Sequence, residues 1–146
     1  MATSLTAGTL TVKITESFSI GGVDRGGEHT VSVSSIDEIS RRVVNVGTSE
    51  VAIISMGAAN SAGTFITNNI KYIRITNLDA ANFVTLRIDT GSGDGFLKLP
   101  AGHSFMLGSA RNTFHTSASL VDVTAIQADA DTAAVDLEVV VATDRS

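Results

Sequence analysis

The stretch YIRITNLDAANFVTLRID, Tyr72 to Asp89, alternates apolar and polar residues on both sides of a short polar break. Such period-2 alternation marks a half-buried strand, because successive side chains leave a strand on opposite faces. With NLDAAN as the loop, the two runs read as a hairpin in which Thr76 pairs with Phe83 and Tyr72 with Arg87. Ile73 and Ile75 then share a core face with Val84, Leu86 and Ile88, while Tyr72, Arg74, Thr76, Thr85 and Arg87 occupy the other face. One aromatic ring and two guanidinium groups make Tyr72, Arg74, Thr85 and Arg87 the candidate partner-contact face, suited to gripping an acidic partner or a sugar. The plainer reading is a solvated sheet face.

The same period recurs outward from this stretch, and helical i, i+3, i+4 spacing never persists. LTVKITESFSI puts Leu10, Val12, Ile14, Phe18 and Ile20 on one face and Thr11, Lys13, Thr15 and Ser17 on the other. The glycines of GGVDRGGEH permit positive φ and predict an open turn or bulged hairpin tip, followed by a strand HTVSVSS. SIDEISRR is the one helix candidate, a single turn with Ser35 at the N-cap and Asp37 and Glu38 in the first turn. RVVNV and EVAIISM read as a hairpin turning at GTSE. GFLKL, SFML, NTFHT, LVDVTAIQ and AAVDLEVVVA complete about ten strands, with turn signals every 8–12 residues or so, a spacing that predicts an antiparallel sandwich or barrel.

Composition agrees. A chain of 146 residues with 43% hydrophobic but only 5% aromatic residues and no Trp must build its core from Val, Ile, Leu and Ala, a set that favours sheets. The length suits one domain, 1–146, with 1–8 as an N-terminal arm. The chain has no cysteine, so packing alone must hold it, and neither disulfides nor thiolate metal sites contribute. A formal charge of −5 without a basic stripe argues against nucleic-acid binding. No signal-peptide pattern and no apolar run near the ~18 residues needed to cross a bilayer occur, so the expectation is a soluble protein folded in a cytoplasm, without a membrane partner.

No motif announces a reaction. DTGSGDG, Asp89 to Gly95, fails as a dinucleotide fingerprint because Phe96 stands where the third glycine belongs. It fails as a calcium loop because Gly91 and Gly93 replace oxygen-bearing side chains, which leaves a hairpin tip. His29, His103 and His115 lack ligand spacing, Asp122, Asp129, Asp131 and Asp136 fall in turns or on outward positions, and no serine sits in a nucleophile elbow. The expectation is no enzyme, no catalytic residue, no cofactor and no metal. EVAIIS and LEVVVA, apolar on both faces, need cover on both sides, either from the chain's own loops and second sheet or from another subunit; the reading here favours a subunit.

The region from Ile70 to Thr143, about half the chain, resembles small structural proteins of tailed bacteriophages, marine ones especially. Ile75, Thr76 and Asn77 match a phrase that ends one strand in that pattern. Leu99, Pro100, Ala101 and Gly102 match a Leu-x-Pro-x-Gly phrase in looser form, and a valine-rich final strand follows. The resemblance is one of texture, and the N-terminal half does not share it. It implies a jelly-roll-like β-sandwich on a virion, most plausibly a capsid decoration or cement protein that trimerises, contacts the major capsid protein and stiffens the shell. The protein would then be assembled in the host cytoplasm and sit on the capsid surface. Two other readings stay open: a tail or fibre component, and a carbohydrate-binding module, against which stand a single Tyr and no Trp. A cupin-type enzyme would need clustered histidines and a carboxylate.

Overall fold

Alternation along nearly every strand sends one set of Val, Ile and Leu side chains inward, and burying that set requires a second apolar layer. The computed structural model describes residues 5–59, 61, 63–115, 117 and 119–145, and among these the chain is an all-β sandwich with a two-stranded ribbon. Residues 1–4, half of the expected N-terminal arm, lie outside the described residues.

The ribbon pairs β1 (Gly8–Glu16) with β4 (Gly27–Ile36), and its tip is the short pair β2 (Ser19–Ile20) and β3 (Val23–Asp24). The body follows: β5 (Glu38–Val46), β6 (Val51–Gly57), β7 (Thr64–Ile66), β8 (Ile70–Asn77), β9 (Val84–Thr90), β10 (Gly95–Leu99), β11 (Ser104–Leu107), β12 (Val123–Ala130) and β13 (Val135–Thr143). One sheet runs β10-β9-β12-β6-β7 and the other β11-β8-β13-β5. All pairs are antiparallel except β6 with β7. The helix candidate at SIDEISRR is strand instead, and the helical turn among the described residues is the 3-10 turn Thr67–Asn69. Ser35 takes φ 60°, not an N-cap conformation, and lies in β4 at its register shift against β1, two residues before the break at Asp37.

The body is a long hairpin rolled up on itself: β9 and β10 pair at its tip, then β8 with β11, β6 with β12, and β5 with β13. Neighbours in sequence therefore mostly face each other across the core. The expected hairpin between Tyr72 and Asp89 does not form, because Tyr72 pairs with Ala142, whereas Arg87 pairs with Phe96 and Gln127 in the opposite sheet. RVVNV and EVAIISM likewise lie in different sheets, joined by a crossing at Gly47, whose carbonyl accepts from Ala130 N–H at 2.8 Å. The described residues of NTFHT form no strand; Phe114 makes an isolated bridge with Val121. The hairpin tips at Gly21–Gly22 and at 91–94 stand as expected, the first with φ 55° and 78° at its two glycines.

The predicted core face is correct in both halves: Ile73, Ile75, Val84, Leu86 and Ile88 meet in one buried cluster. Asn77 ends β8 fully buried and fully bonded. Its amide nitrogen donates to the carbonyls of Asn82 and Leu99, its amide oxygen accepts from Asp79 N–H, and its own backbone carbonyl accepts from Gly102 N–H. Asn77 thus ties the β8–β9 crossing to the start of the β10–β11 crossing. In the second of these loops His103 N–H donates to Pro100 C=O at 3.1 Å, with Gly102 at φ 76° in the position of a type II turn that needs it.

Of the strands apolar on both faces, β13 finds cover within the chain, whereas Val51 of β6 stays 41% exposed. Ile53 is the extra residue of a β-bulge opposite Ile126 and Gln127, which lets Ile53 and Ile54 both enter the core. Val140 and Ala142 of β13 face outward but are buried with Tyr72 under Ile36, Leu10, Val12 and Val33 of the ribbon's base.

Candidate interaction surface

The ribbon is amphipathic, with Glu16 interrupting its apolar face. Its register sets Leu10 opposite Val33, Val12 opposite Val31 and Ile14 opposite His29, so these side chains share one face. The other face pairs Thr11 with Ser32, Lys13 with Thr30 and Thr15 with Glu28, and carries a Lys13–Glu28 ion pair at 3.5 Å. At the tip Ile20 stands opposite Val23. Exposure rises along the ribbon: Leu10 and Val12 are half-buried, whereas Phe18, Ile20 and Val23 are 56%, 59% and 52% exposed.

Between the ribbon's apolar face and the outer face of the four-stranded sheet lies an open cleft of about 580 Å³, walled by Val12, Ile14, Val31 and Val33 on one side and Tyr72 and Met106 on the other. The Tyr72 hydroxyl donates to Met106 Sδ at 3.7 Å, so even its polar tip is spent inside this wall. Lys71 Nζ sits at the mouth, donating to Ser34 C=O at 3.3 Å and pairing with Asp144 at 3.1 Å. These contacts fasten the ribbon's base, and Asp37 adds another by donating its N–H to Thr143 C=O and accepting from Arg145 N–H.

The four residues of the expected partner-contact face are not brought together. Tyr72 and Arg74 lie on the outer face of β8, and Thr85 and Arg87 on the outer face of β9, on opposite sides of the sandwich. Both guanidinium groups are engaged internally. Arg74 binds Thr76 and Glu138, and Arg41 approaches the same carboxylate at 3.2 Å. The Arg74 hydrogen bond holds the Glu138 carboxyl below the usual carboxylate range. Arg87 reaches Asp94 through Nε at 2.9 Å and Glu50 through Nη1 at 2.8 Å, with its guanidinium carbon 6.0 Å from the centre of the Phe96 ring. Its own pKa is raised, chiefly by the bond to Asp94, and the Asp94 carboxyl is correspondingly lowered. Burial pushes the neighbouring Asp89 carboxyl up, and its hydrogen bond with Asp94 adds to the rise.

A second, polar cleft of about 450 Å³ opens between the free edges of β5 and β7, lined by Glu38, Ser40, Arg42, Phe65 and Arg145 among others. Its charges are also paired within the chain: Arg145 with Glu38 at 2.9 Å, and Arg42 donating to the carbonyl of the bulge residue Ile53. Among the described residues no three His, Asp or Glu side chains gather as a metal-binding group. His29 lies on the ribbon, His103 closes the Pro100 turn and His115 bonds Ser117.

The ribbon's role as a separate element was missed in the sequence, although its signals were present. One face carries Leu10, Val12 and Ile14 up to Glu16 and the other Thr, Ser and Lys, and the reach ends in the paired glycines of GGVDRGG. No family model matches the chain, and no curated protein or solved structure matches it either.

Proposed function

We propose that this protein is a non-enzymatic structural component of a virus particle, a capsid decoration or cement protein of the tailed-phage type that assembles as a homotrimer on the capsid surface. In this role it reinforces joints between copies of the major capsid protein. The observation that carries the reading is the ribbon: an isolated two-stranded ribbon is marginal in water, and this one holds its apolar face open beyond its base. Such an element gains its stability by docking, which is the work of an assembly protein. A jelly-roll type is supported by the strand order, since β5-β13-β8-β11 facing β7-β6-β12-β9-β10 is compatible with the two Greek keys of capsid, lectin and cupin jelly rolls. Fold alone does not choose among these, so the choice rests on surfaces. The arginines of β8 and β9 are neutralised by the chain's own carboxylates, whereas Phe18, Ile20 and Val23 at the ribbon tip stay exposed.

The test is sedimentation of capsids, assembled from a major capsid protein of the same genome, after mixing with the purified protein. Saturable co-sedimentation, with regular protrusions in cryo-electron microscopy maps, is the expected result. Protein that stays in the supernatant at every ratio overturns the proposal, and density at the tail alone moves the protein to the tail.

A further inference from the structure

The inward row of β5 reads Glu38, Ser40, Arg42, Val44, Val46, and the inward row of β13 ends Val139, Val141, Thr143. Val46, Val139 and Val141 lie in the core cluster and Val44 packs against it. Both rows turn polar where that core stops, at the cleft of about 450 Å³ between the free edges of β5 and β7. Alternation alone would continue the apolar rows to their ends, and the sandwich would close there. We infer that this polar mouth binds a small anion carrying hydroxyl groups, a sugar acid or a sugar phosphate. The inference goes beyond the proposed function and does not depend on it.

The charge of the ligand follows from Arg42. Its partner within the chain is the Ile53 carbonyl, which is neutral, and among the described residues no carboxylate stands within ion-pair distance of it. A guanidinium carries five N–H donors in a rigid fork, so most of the fork remains for a carboxylate or phosphate. Arg145 is held by Glu38 at 2.9 Å, which leaves the mouth with two guanidinium groups against one carboxylate in a chain of net charge −5. The hydroxyl groups follow from the walls. Thr143 is only 4% exposed, yet its own hydroxyl has no hydrogen-bond partner among the described residues. Such a group is costly to bury unless something entering the mouth bonds it. Ser40, Thr64 and Asn69 line the same walls with side chains that are likewise unbonded within the chain, and half-buried Phe65 adds an apolar surface for the carbon face of a sugar. The volume lies within the roughly 300–1,000 Å³ of small-molecule pockets. A neutral sugar would leave Arg42 without a counter-charge, and a bare inorganic ion would leave the hydroxyls unmatched and most of the space unfilled. An inward charge on an edge strand also deters pairing with other chains, a role that needs no ligand, so the test reads binding at named residues.

The test is titration of isotope-labelled full-length protein, followed by amide NMR shifts at matched ionic strength, with glucuronate, glucose phosphate, glucose and inorganic phosphate as separate probes. Glucuronate, glucose phosphate or both are expected to give saturable shifts confined to the amides of residues 38–42, 64–69 and 143–145, and which of the two binds decides between carboxylate and phosphate. Arg42→Met is expected to weaken that binding at least about tenfold, the loss of a charge-assisted fork, with the remaining spectrum unchanged. Thr143→Val, which keeps the shape and removes the hydroxyl, is expected to weaken it several-fold and serves where Arg42→Met fails to fold. An equal response to glucose overturns the anion, and an equal response to inorganic phosphate overturns the sugar. No saturable shift with either sugar anion, or shifts centred elsewhere, overturns the site. None of these results bears on capsid co-sedimentation, so the proposed function stands or falls separately.

Discussion

The body and the ribbon are built from the same residue types in the same alternation, and they differ in what lies above their apolar faces. In the body, Ile54, Ile73, Ile75, Leu86 and Leu137 are fully buried between two sheets. In the ribbon, Ile14, Phe18, Ile20, Val23 and Val31 remain exposed, and only the base, at Leu10, Val12, Val33 and Ile36, packs on the body. A strand pattern therefore specifies which face is apolar without specifying what will cover it. Stability belongs to the region whose cover is internal, and the region whose cover is missing is where docking is proposed.

The comparison is broken most severely from the body's side. Leu86→Ala removes a fully buried side chain from between the sheets and is expected to cost about 2–5 kcal/mol in denaturant unfolding. A loss under 1 kcal/mol would mean the core is looser than its burial indicates. Tyr72→Ala, beneath the ribbon's base, is expected to cost about 2 kcal/mol of burial. It should also speed amide hydrogen exchange across β1 and β4 while leaving β9 and β12 protected. Equal acceleration in both regions would show ribbon and body to be one cooperative unit.

The next effect is smaller and depends on pH. Because Glu138 and Asp94 have lowered carboxyl pKa values in the fold, their stabilisation is present above the ordinary carboxylate range and is lost as pH falls through the depressed values. Asp89, raised by burial, has the opposite sign: its contribution is full below the ordinary range and fades as pH rises. Glu138→Gln should therefore lower stability at neutral pH by less than about 1 kcal/mol and shrink the loss between neutral and strongly acidic conditions. An unchanged acid limb would remove Glu138 from the account. Smallest of all, Ile20→Asp at the ribbon tip is expected to shift unfolding by no more than about 0.5 kcal/mol, since the side chain buries little in its own chain. A larger shift in dilute monomer would place a hidden cover on the tip.

Much of this was legible beforehand. The inward faces of β8 and β9, the Gly21–Gly22 tip, the Thr90–Gly95 hairpin and the amphipathic face of β1 are all as the alternation predicts. The candidate face of Tyr72, Arg74, Thr85 and Arg87 was assembled from a correct assignment of faces and an incorrect pairing. NLDAAN is as suitable for crossing the roughly 10 Å between sheets as for turning back within one. Its conformation is set by Asp79, whose carboxylate accepts from Asn82 and Ala81 N–H, and by Asn77, which ties the loop to the Pro100 turn. Neither link is visible from alternation.

What the sequence by itself determined is the side-chain geometry of each strand: which residues point together, where the chain must turn, and that an all-β layered fold follows. Tertiary structure alone decided which strands are neighbours. It carried β8 and β9 to opposite sheets, covered Val140 and Ala142 with the ribbon, and left the ribbon's far half bare. The reason is that backbone hydrogen-bond ladders are the same whatever their side chains, so partner choice is settled by which arrangement buries the most apolar surface at once, and that is a property of the whole chain.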